Sequence, residues 1–312
     1  MRSHYRIILF LLIISNSILC QINPQLINFW DNAYFINPAS THPKSLMEFS
    51  VANRNQWLGV DGAPVTYHAT ASYNNDELNS QFGLRIVSDK IGYSNITDVS
   101  LAYSYVIKNY YSRIVFGLAG SYSKYGFDPD KIVVFDPSDP YSQYAYESKS
   151  NFNADFGMEY IRNNLRGGFS INKMFDLFLA KNNQQWNGNY NYFYLLYRQH
   201  REDILNFGYG LSLLNSGRTT LAEVNFNTYF RYDQFSKNVL QLGLTYRTFS
   251  QISINTGIYL TENFKLLYTF EKNFNILGAY SDGSHEIVLK YRINRPKQWG
   301  FLHYWENQTF SY

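Results

Sequence analysis

Asp282, Ser284 and His285 stand close together, and a Ser/His/Asp set is the constellation that nucleophilic hydrolysis uses. Ser284 and His285 are adjacent in a stretch that alternates like a strand. Their side chains therefore leave the chain toward opposite faces and cannot share a proton. The set reads as a turn followed by a strand start. Asp128, Asp130, Asp136 and Asp139 could offer oxygen ligands to Ca2+, but Pro129, Pro137 and Pro140 interleave them as turn punctuation, and their spacing matches no cation loop. The six His are scattered, with no HExxH and no close pair on one face. The glycines between Leu58 and Pro64 precede no helix, so they form turns and not a phosphate cradle. No catalytic residue, metal or cofactor is expected, and the chain does not read as an enzyme.

The elements that carry these residues are set by composition and period. A net charge of +3 over 312 residues is nearly balanced, with Lys and Arg dispersed among acids, so nucleic acid is not an expected partner. Arg2, Arg6 and the apolar run Ile7 to Ile14 read as a signal peptide over residues 1–20. That run is roughly 12 Å long as helix, too short to cross a bilayer. Cys20 would suit a lipoprotein, but Leu19 before it is not small, so cleavage is expected before Gln21. The mature chain then holds no cysteine, hence neither a disulfide nor thiolate chemistry.

The chain has 29 Tyr and 24 Phe, while its mean hydropathy is negative. A soluble core has no need of so many aromatics, but the two interfacial girdles of a membrane barrel do. No stretch after residue 20 could be a transmembrane helix, so a membrane location requires a closed barrel. Between Thr97 and Ile107, Val99, Leu101, Tyr103, Tyr105 and Ile107 interleave with Asp98, Ser100, Ala102 and Ser104. One face suits lipid and the other a wet lumen. Segments of this kind begin near residues 46, 65, 80, 96, 112, 151, 165, 189, 203, 220, 237, 250, 263 and 283. The expectation is an all-β, transmembrane antiparallel barrel of about 14 strands, an even number as bacterial barrels have.

Long connections mostly follow odd-numbered segments, which places both termini in the periplasm, because periplasmic turns are the short ones. The short link near Phe249 breaks this rule, and a miscounted pair there would leave twelve strands. The expected organisation is the signal peptide, a lead-in over 21–44, the barrel over 45–293 and a tail over 294–312. The lead-in holds Pro24, Pro38 and Pro43 and would fold against the periplasmic end or into the lumen. The tail has no assigned role, although its Tyr312 loosely fits the terminal aromatic with which such barrels often end.

Four stretches carry a resemblance: NPQLINFWDNAYFINPAS from Asn23, NRNQWLGVDGAPVTY from Asn53, VSDKIGYSN from Val87 and AYSDGSHEIVLKY from Ala279. Together and in order they resemble the PorP/SprF family of outer-membrane proteins, linked in Bacteroidota to type IX secretion and gliding motility. About residues 125 to 220 add little to the match. The resemblance implies an outer-membrane barrel that helps deliver or hold a large adhesin or secreted cargo protein at the cell surface. Its partners would be outer-membrane lipid, that cargo and other type IX components.

Three of these stretches include the connections after segments 1, 3 and 13, which lie near one another around a closed ring. The signature could therefore form one composite surface with Arg54, Gln56, Trp57, Asp61, Asp89, Lys90, Tyr280 and Asp282 as partner contacts. The alternative is that these loops fold inward and stiffen the barrel. A solute pore is the competing function, suggested by the polar inner face.

Overall fold

The computed structural model describes residues 26–40, 45–127, 148–179, 188–199, 203–216, 219–232, 238–248 and 250–295. The signal peptide, the acidic loop with Asp128, Asp130, Asp136 and Asp139, and the tail from 296 onward lie outside them.

Fourteen strands make up the wall. The first seven are β1 (Ser45–Asn55), β2 (Val65–Asn75), β3 (Ser80–Ile91), β4 (Ser94–Lys108), β5 (Ser112–Phe127), β6 (Lys149–Arg162) and β7 (Leu165–Asn172). A short helix, α1 (Met174–Leu179), precedes β8 (Tyr190–Arg198), β9 (Leu205–Asn215), β10 (Thr220–Arg231) and β11 (Asn238–Arg247). The ring continues through β12 (Gln251–Tyr259), β13 (Phe264–Asn273) and β14 (Ser284–Asn294). Each strand pairs antiparallel with its chain neighbours, and β1 pairs with β14 from Ser45↔Asn294 to Asn55↔His285, which closes the barrel. Closure leaves no strand edge, the condition for crossing a bilayer with strands. β11 and β12 pair from Leu240↔Ile258 to Arg247↔Gln251, so the strands on either side of residue 249 are both genuine and the count is fourteen.

Alternation sets the two faces. Leu101, Tyr103, Tyr105 and Ile107 are exposed on the outside of β4, and Asp98, Ser100 and Ser104 are buried inside it. The same parity puts Phe49 and Val51 outside β1, and Ser50, Ala52 and Arg54 inside. Both ends of the wall, Ser45 and Asn294, lie at the mouth that carries the turns at 76–79, 109–111, 163–164 and 260–263. The opposite mouth carries the connections 56–64, 92–93 and 274–283, and is called the loop rim below.

The lumen is filled by the lead-in. Residues 26–40 thread through it with Ile27, Asn37 and Ala39 fully buried and Phe29, Phe35 and Ile36 nearly so. One side of the segment packs on an apolar patch of the wall made by Val87, Tyr192, Tyr194, Leu196 and Leu214. This patch explains why β8 fails to alternate: its inner residues face the segment instead of water, so both of its faces are apolar.

Elsewhere the wall satisfies the segment's backbone. The N–H groups of Ile27 and Asn28 donate to Glu286 at 2.8 and 3.2 Å. The carbonyls of Leu26, Phe35, Ile36, Pro38 and Ser40 accept from Arg247, Arg85, Ser170, Ser104 and Gln81. A buried backbone group without such a partner would cost about 1–3 kcal/mol. Asp31 is bonded to Lys265 and lies near Lys290. Burial opposes its charge, yet the two lysines outweigh that and hold its carboxyl well below the usual carboxylate range.

Gly117 on β5 shows how close the fit is. A Cβ there would lie 2.5 Å from Ala39 N and 2.6 Å from Pro38 C, both backbone atoms of the segment. Gly117→Ala is expected to cost about 1–3 kcal/mol by overpacking, read as a lower urea midpoint of the folded barrel. Gly120→Ala is the control: a Cβ there meets nothing within 4 Å, and the expected change is under about 0.5 kcal/mol. Equal effects of the two would mean that the segment does not rest on β5.

Candidate functional site at the loop rim

Three connections meet at the loop rim. The turn 56–64 is closed on itself by Gln56 N to Pro64 O at 2.9 Å and Val60 N to Trp57 O at 3.1 Å. Two backbone bonds tie it to the connection before β14, Leu58 N to Gly283 O and Asp282 N to Leu58 O, both 2.8 Å. A third ties it to the β3–β4 hairpin, Gly92 N to Gly62 O at 2.9 Å. A Cβ on Gly62 would sit 3.3 Å from Gly92 Cα, and both residues have positive φ, so glycine at each lets the two backbones touch. The connections that follow β1, β3 and β13 therefore form one hydrogen-bonded surface, although two of them are far apart in sequence.

Trp57 sits at the centre with φ of 50°, a left-handed conformation that costs a non-glycine residue roughly 1–3 kcal/mol. Its N–H donates to Ser284 Oγ at 3.2 Å, and the ladder through Leu58 holds the turn in that shape. Ser284 faces the lumen, fully buried, while His285 points outward and shares a 2.6 Å bond with Tyr268. The two do not meet, as their adjacency in a strand requires.

The structure divides the eight residues singled out from the sequence. Asp61, Tyr280 and Asp282 are exposed at the rim, with Trp57 and Lys90 half-buried beside them. Arg54, Gln56 and Asp89 point into the lumen and are buried. Asp89 accepts a hydrogen bond from Thr66. Arg54 pairs with Glu271 at 3.1 Å, Glu271 lies 3.5 Å from Arg247, and Arg247 pairs with Glu223 at 2.7 Å. Because Arg247 also holds the Leu26 carbonyl, this buried relay joins the base of the rim turn to the luminal segment. Parity carried the signal for this inward set: Arg54 and Gln56 follow Ser50 and Ala52, and Asp89 follows Arg85 and Val87.

Four further rim residues are exposed and apolar: Leu58, Tyr93, Phe274 and Ile276, the last with 79% of its surface accessible. The signal for them was an apolar run in a connection, Phe274 to Tyr280, where a solvent loop would be polar. They and Tyr280 are exposed apolar side chains on the same three connections that carry the exposed Asp61 and Asp282. Among the described residues no group of three or more His, Cys, Asp or Glu side chains is placed to hold a metal ion.

By shape the chain is similar to solved outer-membrane barrels. The CymD monoaromatic hydrocarbon channel aligns with a TM-score of 0.47 and 9% identity, over 85% of this chain and 93% of that one. A bacterial polysaccharide outer membrane secretin aligns at 0.42 and 13%, over 82% and 100%. A Pseudomonas aeruginosa FadL homologue aligns at 0.43 and 9%, over 79% and 89%. Among curated proteins the chain finds no match. The family described as type IX secretion system membrane protein PorP/SprF matches it over residues 19–291.

Proposed function

We infer the function from one premise: the chain belongs to the PorP/SprF family of type IX secretion system membrane proteins. It is an outer-membrane barrel that assists secretion or surface attachment of a large cognate protein by binding it at the loop rim. Its short-turn mouth and both ends of the barrel face the periplasm, following the turn-length asymmetry of bacterial barrels. The observation that carries the reading is the hydrogen-bonded rim, whose joined connections carry exposed Tyr280, Ile276 and Leu58 together with exposed Asp61 and Asp282, the mixture of apolar and polar exposure that a protein contact uses. A luminal solute path is the weaker reading, because residues 26–40 occupy the lumen.

Surface proteins of intact cells, compared with and without this chain by limited proteolysis and mass spectrometry, test it. Loss of one large protein marks a dedicated partner, and loss of many marks a general secretion role. An unchanged surface removes the secretion reading altogether. At the residue level, Tyr280→Ser combined with Asp282→Lys is expected to lower display of the cognate protein roughly 30-fold, the effect of losing about 2 kcal/mol at an aromatic anchor. The barrel's own stability should stay within about 0.5 kcal/mol, since both side chains are exposed. Normal display in that variant would mean that the rim is not the binding face.

A further inference from the structure

At the mouth opposite the loop rim, a cavity of about 70 Å3 lies against the luminal segment, lined in part by Trp30, Asp31, Arg198, Asn225, Tyr229 and Lys290. Its wall residues Arg198, Tyr229 and Lys290 come from the turn-side halves of β8, β10 and β14, and Asn225 lies midway along β10, so the cavity opens toward that mouth.

Cations outnumber carboxylates around it. Lys265 and Lys290 approach Asp31, and Lys290 and Arg292 each reach Glu48 at 2.9 Å. Arg198 adds a fourth cation and enters no ion pair among the described residues; its guanidinium carbon lies 3.7 Å from the centre of the Tyr229 ring. Arg198, Lys265, Lys290 and Arg292 thus face two carboxylates, Asp31 and Glu48, while Arg166 on the same lining is paired with Glu159 at 2.7 Å. Two neutral donors on the same lining are also unsatisfied: Trp30 Nε1 and Asn225 Nδ2 are both buried without an acceptor. Buried donors without acceptors are rare enough in native proteins to call for a ligand or ordered water, and surplus positive charge selects an anion over a neutral group.

We propose that this cavity is a binding site for a carboxylate group, held by Arg198 with Trp30 Nε1 and Asn225 Nδ2 as further donors. Stacking on Tyr229 occupies one face of the guanidinium and the Tyr259 hydroxyl bonds part of its edge; the remaining N–H groups of the planar fork can still meet two in-plane oxygens. The cavity has room for a few heavy atoms, so the carboxylate belongs to a small acid or to the end of a peptide that reaches in from the mouth.

The indole N–H resonance of Trp30 tests this directly, in the full chain folded in detergent micelles at constant ionic strength. The resonance is identified by its loss in Trp30→Phe. The probes are sodium acetate, a free small acid, and N-acetylalanine, a peptide-like terminal carboxylate. Movement of the resonance with either one supports the site, and the probe that moves it names the source. Arg198→Gln should weaken the response about tenfold or more, and Arg198→Lys, which keeps the charge but loses the fork, should fall between. A resonance that neither probe moves overturns the proposal and leaves the cavity to water. So does a response unchanged in both Arg198 variants, or one produced by inorganic phosphate alone.

Discussion

Deletion of residues 26–40 is expected to turn a barrel that is nearly silent in a planar lipid bilayer into one that conducts in discrete steps. The segment occupies the lumen along its length, from the Glu286 and Arg247 anchors at Ile27 and Leu26 to the Gln81 anchor at Ser40. Its removal would expose an inner wall rich in Ser, Thr, Asn and charged residues, including Ser50, Thr70, Arg85, Asn153, Glu159 and Asn227. Such a wall hydrates readily, and a hydrated lumen carries ions. The apolar patch at Tyr192, Tyr194 and Leu196 would lose its cover, so the deletion variant should also unfold at lower urea. A wild-type chain that already conducts would restore the pore reading, and a silent deletion variant would mean that other residues close the lumen.

Arg85→Leu is expected to cost about 3–5 kcal/mol, the penalty for stripping the partner from a buried charge. Arg85 lies 2.9 Å from Asp155 and 3.5 Å from Asp98 and donates to the Phe35 carbonyl at 3.0 Å. Both carboxylates are almost fully buried, and their remaining bonds, from Lys173 N to Asp155 and from Ser123 Oγ to Asp98, do not neutralise them. The triple variant Arg85→Leu, Asp98→Asn, Asp155→Asn should recover most of the loss, because it removes the uncompensated charge along with the arginine. Urea unfolding followed by heat-modifiable mobility on a gel reads both. A cost below about 1 kcal/mol in the single variant would mean that water reaches the two acids and that the cluster does not hold the segment.

The wall was legible in the sequence because its information is local. Each strand start expected from period-2 alternation falls within two residues of the observed one, for example 96 against Ser94, 151 against Lys149 and 203 against Leu205. A wall with lipid on one side and polar groups on the other makes a one-residue slip costly at every second position, so pattern and register agree. The rim surface was half legible. Ring closure brings the ends of β1, β3 and β13 together, and the structure places hydrogen bonds between their connections. The division of the eight residues into an inward and an outward set needed parity to be carried from the strand into the loop. Arg54, Gln56 and Asp89 obey it.

By itself, then, the sequence determined the barrel, a count of about fourteen strands and which connections meet at the rim, since alternation and turn chemistry act between near neighbours. Tertiary structure alone decided what fills the barrel. The lead-in has no period of its own, and its place depends on partners as distant in sequence as Glu286 is from Ile27. Such contacts exist only once the ring has closed, because they join a backbone that needs hydrogen bonds to a wall that has donors and acceptors to spare.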